Sequence, residues 1–377
     1  MSVALPAPRV IGGGAVRGWV RPMTTSLTIG VIPGDGIGPE LVDSAVAVLD
    51  AACADGPRLE YRYEDGGAAT YARTGEALSA GALARIRDEY AAVLKGPVGL
   101  PEVRRPDGTE AGVLGGILRG GLDTYANVRP IRLLPGAATP LRPESGPVDY
   151  VIVRENTEGL YLSRGLGVGN DRAVSDQLLL TRTGVERVVR YAFELARTRP
   201  GAPADGVHRV TCVDKSNVLR SFAFFRRIFD EVAAAYPGIE ADHRYADAAG
   251  HDLVADPGHF DVLVMENLLG DVLSDVGAAT VGGLGMCPAG NIGDHAAYFE
   301  PIHGSAPAIA GQDRANPTSQ ILSAALMLAH LGHTGPARAI ERAVATAFAD
   351  GAIRLDAHGR PEGGTASVTR AVLAALG

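Results

Sequence analysis

Asp271 and Asp275 stand four residues apart in Glu266-Asn-Leu-Leu-Gly-Asp271-Val-Leu-Ser-Asp275, directly after the apolar run 262–265. On a helix this spacing puts both carboxylates on one face, where like charges repel by about a few tenths of a kcal/mol. A hard divalent cation such as Mg2+ or Mn2+ takes oxygen ligands and would offset that repulsion. Two solvated or capping aspartates are the plain alternative.

Arg119, Arg129 and Arg154 form a second constellation. Arg154 directly follows an apolar strand, where a charge needs a partner, and a planar guanidinium suits bidentate grip of a carboxylate. Converging, the three would take a di- or tricarboxylate. Apart, they are ordinary members of a chain in which all but two of 35 basic residues are arginine. The exceptions are Lys95 in Val-Leu-Lys-Gly-Pro and Lys215 in Val-Asp-Lys-Ser-Asn-Val-Leu. They stand out because a buried lysine can give up its proton and an arginine cannot. Tyr161, seven residues after Arg154, passes on its own as a core aromatic. The glycine-rich run 281–285 leads to Asn291 and then to Glu300-Pro-Ile-His303-Gly-Ser-Ala-Pro307, a loop able to set backbone and His303 against a flat heterocycle.

Secondary structure must hold these groups in place. Apolar strand runs at 26–33, 91–94, 150–153, 210–213 and 262–265 alternate with helical stretches at 183–197, 221–235 and 319–331, which predicts an α/β protein. The proline-rich stretch 128–147 predicts a crossing segment between subdomains. Gly34-Asp-Gly36-Ile-Gly38 after the first strand invites a dinucleotide-fold reading, with Glu64 or Asp65 as the ribose acid. The third glycine comes too early for that motif, and Pro39 follows it directly.

Composition sets outer limits. At 377 residues, 46% apolar and 21% charged, the chain reads as a soluble globular protein with two domains or one large α/β unit. No apolar run reaches the roughly 20 residues needed to cross a bilayer. A net charge of −8 and a pI near 5.6 argue against nucleic acid or anionic membrane as partners. Cys53, Cys212 and Cys287 lack the spacing of a zinc site or a disulfide frame and read as reduced thiols of a cytoplasmic protein. Residues 1–25 contain Arg9, Arg17 and Arg21 but no acid, as a transit peptide would, and Met23 offers a second start. The stretch is read as a disordered or loosely docked extension without a catalytic role.

Taken together, these residues resemble the metal-dependent β-decarboxylating dehydrogenases: the isocitrate, homoisocitrate and 3-isopropylmalate dehydrogenase family. The resemblance runs from about Leu27 to Leu331. It rests on Pro33-Gly-Asp-Gly-Ile-Gly-Pro39, Tyr125-Ala-Asn-Val-Arg-Pro130, Val153-Arg-Glu-Asn-Thr-Glu-Gly-Leu-Tyr161, Asn267-Leu-Leu-Gly-Asp271-Val-Leu-Ser-Asp275 and Glu300-Pro-Ile-His-Gly-Ser-Ala-Pro307, in the family's order. It implies an α/β fold that is isopropylmalate/isocitrate dehydrogenase-like and not Rossmann. A large cofactor-binding domain would comprise 26–124 plus 282–377, and a small domain, 125–281, would build a homodimer interface.

The resemblance also implies roles. Arg119, Arg129 and Arg154 match the arginines that hold the malate carboxylates, and Asp247, Asp271 and Asp275 the ligands of Mg2+ or Mn2+. Lys215 would help remove the hydroxyl proton and Tyr161 would protonate C3, with Lys215 and Asp247 entering the partner subunit's site. Glu300, His303, Gly304, Ala308 and Asn316 match the cofactor loop, and Asn217 the nicotinamide side.

Departures bear on specificity. NAD-using members have aspartate where this chain has Ala308, and NADP-using isocitrate enzymes have Lys-Tyr where it has Ala308-Ile309. With no basic pair for a 2′-phosphate NAD is favoured, NADP being left open through Arg314. Isocitrate enzymes have serine and asparagine where this chain has Val113 and Gly115, and isopropylmalate enzymes have leucines where it has Gly115 and Gly116. The loop Pro101-Glu-Val-Arg104-Arg105-Pro-Asp-Gly is basic, and Lys95-Gly-Pro resembles the isocitrate enzymes' lysine. The expectation is therefore oxidative decarboxylation of a 3-substituted (2R)-malate with an acidic, homoisocitrate- or isocitrate-like C3 group, Lys95 facing that group. The alternatives are 3-isopropylmalate or tartrate/D-malate as substrate, a Rossmann dehydrogenase, and a non-catalytic regulatory subunit of the same family. Arg119, Tyr161, Lys215, Asp271 and Asp275 occurring together weigh against the last.

Overall fold

The apolar runs of the sequence become the middle of one mixed sheet. The computed structural model describes residues 26–106 and 108–377, so the expected extension at 1–25 lies outside the described residues. The strands are β1 (Ser26–Ile32), β2 (Arg58–Tyr63), β3 (Ala92–Lys95), β4 (Ala126–Arg132), β5 (Asp149–Glu155), β6 (Val168–Asn170), β7 (Ala173–Ser175), β8 (Arg209–Asp214), β9 (Glu240–Tyr245), β10 (Val262–Met265), β11 (Pro288–Ile292) and β12 (Ala297–Pro301). Ten of them form a single sheet in the order β2-β1-β3-β12-β11-β4-β5-β10-β8-β9, while β6 and β7 form a separate antiparallel pair.

Strands β3, β8 and β10 are buried at every position. Cover on both faces removes the alternation of a half-exposed strand, so β10 reads as an unbroken apolar run and β3 and β8 as apolar runs with polar groups mainly at their ends. Helices Arg182–Ala196, Arg220–Ala233 and Thr318–His330 supply that cover. In the middle of the sheet β4 runs antiparallel to both β5 and β11, and β11 antiparallel to β12. A doubly wound dinucleotide fold is parallel there, so the Rossmann alternative fails on topology.

The glycine loop has a structural job instead. Gly34 and Gly36 have φ of 78° and 57°, and a Cβ on them would lie 2.1 Å from the Pro97 carbonyl oxygen and 2.0 Å from that of Ser305. Between them the buried Asp35 carboxylate accepts from the backbone N–H groups of Ala68, Ala69 and Gly99 at 2.7, 2.9 and 2.7 Å. Neither candidate ribose acid is free: Glu64 is held by Arg85, Ser79 and Tyr90, and Asp65 by Arg73.

The proline-rich stretch runs from β4 past the Phe348 carbonyl, which Gly136 approaches closely, and back into the sheet. Pro130 lies within β4 opposite Val151, and after a short 3-10 turn at Pro143–Ser145 the chain returns beside it as β5. Prolines fix an extended path without supplying N–H donors, which suits a long connection between two antiparallel neighbours. Both ends of the expected small domain, 125 and 281, sit next to adjacent strands, because Asn127 of β4 pairs with Asn291 of β11. Cys53, Cys212 and Cys287 are free and buried. Among the described residues no helix is long and apolar enough to cross a membrane.

Candidate active site

Arg154 is the penultimate residue of β5, with its side chain 1% exposed. Its Nε and Nη2 donate to the Asn267 side-chain oxygen at 3.0 and 2.7 Å, and its Nη1 donates to Asp271. Arg129, on neighbouring β4, donates to Asn127 at 3.0 Å and Ser274 at 2.6 Å, and pairs with Asp271 at 3.4 Å and Asp275 at 4.0 Å. The Tyr161 hydroxyl, from the 3-10 turn Leu160–Ser163, donates to the other Asp271 oxygen at 2.9 Å. Arg119, in the last turn of the short helix Gly115–Gly121, has its buried Nε without a partner and feels the charges of Glu300 and Asp271. Asp271 is thus the point on which Arg129, Arg154 and Tyr161 meet.

The helix Asn267–Thr280 delivers the two aspartates as their spacing predicts. Its N-terminus is capped by Glu266, whose carboxylate accepts from Leu268 and Leu269 N–H at 2.9 and 3.2 Å and from Leu160 N–H at 3.1 Å. One glutamate therefore ties the aspartate helix to the Tyr161 turn. The helix can approach β5 only because residue 270 is glycine: a Cβ there would lie 2.5 Å from Arg154 Cγ and 2.6 Å from its Cβ.

Electrostatics distinguish the two aspartates. Burial pushes Asp271 up, but the Arg154 and Arg129 guanidiniums outweigh it and leave the carboxyl below its usual value. Asp275 goes the other way, raised by burial and by Asp271 despite Arg129. Tyr161 is raised by burial and by Asp271, so its phenol stays protonated. Arg154 is pushed down by burial and by the neighbouring Arg129 and Arg119.

Lys215 and Asp247 lie apart from this group. Lys215 follows β8, and its ammonium contacts Asp247 at 2.5 Å, the two side chains 32% and 72% exposed. The Tyr245 ring centroid is 5.8 Å from the ammonium and 5.1 Å from the Arg226 guanidinium, which is anchored on buried Asp214. Exposed Asn217, Val218 and Leu219 adjoin the pair. Among the described residues no group of three acidic, histidine or cysteine side chains is brought together, so a single chain does not assemble the three expected metal aspartates. Asp271 and Asp275 still suit a hard cation: two carboxylates one helical turn apart, one of them disfavoured by the other's charge.

In the cofactor loop, His303 Nδ1 contacts the Gly304 carbonyl at 2.9 Å, its buried Nε2 has no partner, and burial lowers its pKa. Nothing lies within 4 Å of where a Gly304 Cβ would stand. An orphaned ring nitrogen beside an open glycine fits a flat heterocycle. Ala308 lies in the turn Pro307–Ile309 and its carbonyl accepts from Gln312. Asn316 turns its side-chain oxygen to the Thr318 N–H at 3.1 Å.

Two residues are occupied in ways their motifs did not suggest. Lys95 is buried, and its ammonium contacts Glu300 at 2.6 Å and the Gly96 carbonyl at 3.1 Å, so in this chain it meets an internal acid and not an open distal pocket. Glu300 in turn accepts from Asn291 at 2.9 Å. The buried Asn127, Asn156 and Asn267, and the capping role of Glu266, were not singled out in the sequence. For Asn156, Glu266 and Asn267 the available signal was an acid or amide just after a buried strand, whereas Asn127 lies inside β4.

The fold is of the α/β class, with antiparallel strands at the centre of its sheet. A family model described as isocitrate/isopropylmalate dehydrogenase matches residues 28–372. A 3-isopropylmalate dehydrogenase of Leifsonia xyli subsp. xyli is 45% identical over 339 residues, covering 87% of this chain and 92% of that protein. One from Streptomyces coelicolor is 45% identical over 333 residues, covering 85% and 92%. Among solved structures, isocitrate dehydrogenase from Methylococcus capsulatus aligns with a TM-score of 0.81 and 39% identity, covering 93% of this chain and 99% of that one. The TT0538 protein from Thermus thermophilus also aligns at 0.81, with 38% identity and coverage of 93% and 68%. The chain belongs to the isocitrate/isopropylmalate dehydrogenase family.

Proposed function

We propose that the protein oxidatively decarboxylates a 3-substituted (2R)-malate to a 2-oxo acid, using NAD and Mg2+ or Mn2+. The observation that carries this is the meeting of Arg129, Arg154 and Tyr161 on Asp271, one turn before Asp275 and within electrostatic reach of Arg119. The arginines take the two malate carboxylates as bidentate donors. Asp271 and Asp275 hold the cation, with Asp247 of a second subunit. A cation held there would supply positive charge to acidify the substrate hydroxyl, and the loop around His303 and Gly304 would hold a dinucleotide able to serve as hydride acceptor. Lys215 of that second subunit, as its neutral amine, accepts the hydroxyl proton, and after the C3 carboxylate leaves as CO2, Tyr161 returns a proton to C3.

A homodimer is part of the proposal. The pair β6–β7 and its flanks expose Leu166, Val168 and Val174 at 74, 74 and 73%, and Val218, Val254 and Val272 are 67, 46 and 55% exposed. Val168 and Val174 share one two-stranded ribbon with Leu166 on its flank, and a second copy covering that ribbon would bring Lys215 and Asp247 with it.

For the C3 substituent the observations favour isopropylmalate over the acidic group expected from the sequence. Lys95 is committed to Glu300. Arg104 donates to the Pro101 carbonyl at 2.7 Å and lies 3.6 Å from Glu110. The named relatives at 45% identity are 3-isopropylmalate dehydrogenases. Assaying the purified chain on 3-isopropylmalate, homoisocitrate, isocitrate and D-malate, with NAD or NADP, for CO2 and reduced dinucleotide tests all of this. Absence of CO2 from every substrate would instead favour a regulatory subunit.

A further inference from the structure

A row of buried polar side chains crosses the sheet, one from each of four neighbouring strands. Lys95 of β3 donates to Glu300 of β12 at 2.6 Å; the other Glu300 oxygen accepts from Asn291 of β11 at 2.9 Å. The Asn291 oxygen accepts from Asn127 of β4 at 2.9 Å and from Asn156 at 2.9 Å. The Asn127 oxygen accepts from Arg129 Nε at 3.0 Å. Lys95, Asn291, Asn127 and Arg129 are 3, 0, 0 and 5% exposed and the Glu300 side chain 15%, so these bonds are largely shielded from water.

Every donor from Arg129 onward points toward Glu300. An asparagine amide has a donor end and an acceptor end, and a half-turn exchanges them. Here the exchange is blocked by charge, because a guanidinium only donates and a carboxylate only accepts. The direction of both asparagines, and so the acceptor that holds the edge of Arg129, depends on Glu300 remaining an anion in place. Glu300 has a competing partner, since it also feels the charge of Arg119. Burial alone would raise its pKa, and Lys95 is the largest influence lowering it.

We propose that Lys95 is a positioning residue for Arg129: by holding the Glu300 carboxylate away from Arg119, it fixes the polarity of the Asn291–Asn127 pair that orients the substrate-binding guanidinium. Without the ammonium, Glu300 swings to Arg119 or takes up a proton. A protonated carboxyl donates as well as accepts, so the asparagine row loses its single direction. This rests on the proposed function, in which Arg129 meets a malate carboxylate.

A mutant cycle separates this role from direct contact with substrate. With 3-isopropylmalate, NAD and Mg2+, Lys95→Met should raise KM at least about 10-fold when residue 300 is glutamate, and less than about 3-fold in the Glu300→Gln background. Equal effects in both backgrounds, or an unchanged KM in Lys95→Met, overturn the proposal. Should Lys95→Met not fold, Lys95→Gln takes its place in the same cycle. A second readout needs no turnover: in protein labelled with [15N]asparagine, the side-chain amide signals of Asn127 and Asn291 should move in Lys95→Met. Unmoved signals overturn the proposal. Moved signals in a protein that turns over no malate derivative leave it standing and reject the proposed function.

Discussion

The ammonium of Lys215 lies 2.5 Å from the carboxylate of Asp247, and among the described residues neither makes a hydrogen bond or ion pair with Asp271 or Asp275. If the site is shared between subunits, two dead chains can make one live site. Lys215→Met and Asp271→Asn are each expected to be nearly inactive. Mixed one to one and allowed to exchange subunits, they should regain about a quarter of wild-type activity, since half the dimers are hybrids with one intact site of two. No recovery in a mixture shown to contain hybrids refutes the shared site.

Lys215→Met alone should lower kcat by at least about 10²-fold, the low end for a group that moves a proton. Binding of the dinucleotide, followed by calorimetry, should stay within the error of wild type. Near-normal turnover would remove Lys215 from the chemistry.

Removing divalent cations with EDTA should abolish turnover, and Mg2+ or Mn2+ should restore it. Asp275→Asn should weaken Mn2+ binding, measured by electron paramagnetic resonance, by at least about 10-fold, because a hard cation loses an anionic oxygen ligand. Full activity in EDTA rules out the metal-assisted reaction.

On substrates, kcat/KM for 3-isopropylmalate should exceed that for homoisocitrate by roughly 10²-fold, the scale expected when a carboxylate is desolvated without a cation to meet it. The reverse order would mean that Arg104 or Lys95 leaves its present partner when substrate binds.

Glu64 gives a pH prediction remote from the site. Its hydrogen bonds from Arg85, with those from Tyr90 and Ser79, hold its carboxyl at about 2, against an ordinary value of 4.5. A carboxyl with a depressed folded-state pKa stabilises the fold fully above its unfolded value, and loses that contribution as pH falls through the folded one. The urea midpoint should therefore fall between about pH 4.5 and 2, and Glu64→Gln should flatten that slope while lowering the midpoint at pH 7. An unchanged acid limb in the variant would show that Glu64 is not responsible.

Much of the site was legible because local chemistry marks it. Two aspartates one turn apart, and an arginine closing an apolar strand, each leave a pattern in a single segment, and the structure brings Asp271, Arg129, Arg154 and Tyr161 together. The strand and helix runs were legible for the same reason, their bounds shifting by only a few residues. What stayed hidden depends on neighbours far apart in sequence. Lys95 and Glu300 are 205 residues apart, and nothing in either motif says that they pair. Where the proline-rich stretch returns was not legible, because prolines mark an extended path without naming its destination. The glycine loop was ambiguous because close backbone packing and phosphate binding make the same demand on side-chain size.

The chain enters the segment 125–281 through β4 and leaves it into β11, and those two strands are hydrogen-bonded neighbours. We propose that 125–281 moves as a unit, in which case its rotation against the rest would twist the β4–β11 pair instead of bending a free tether. A substitution that stiffens the β4–β11 ladder is then expected to slow substrate entry and product release while leaving the groups that meet substrate in place.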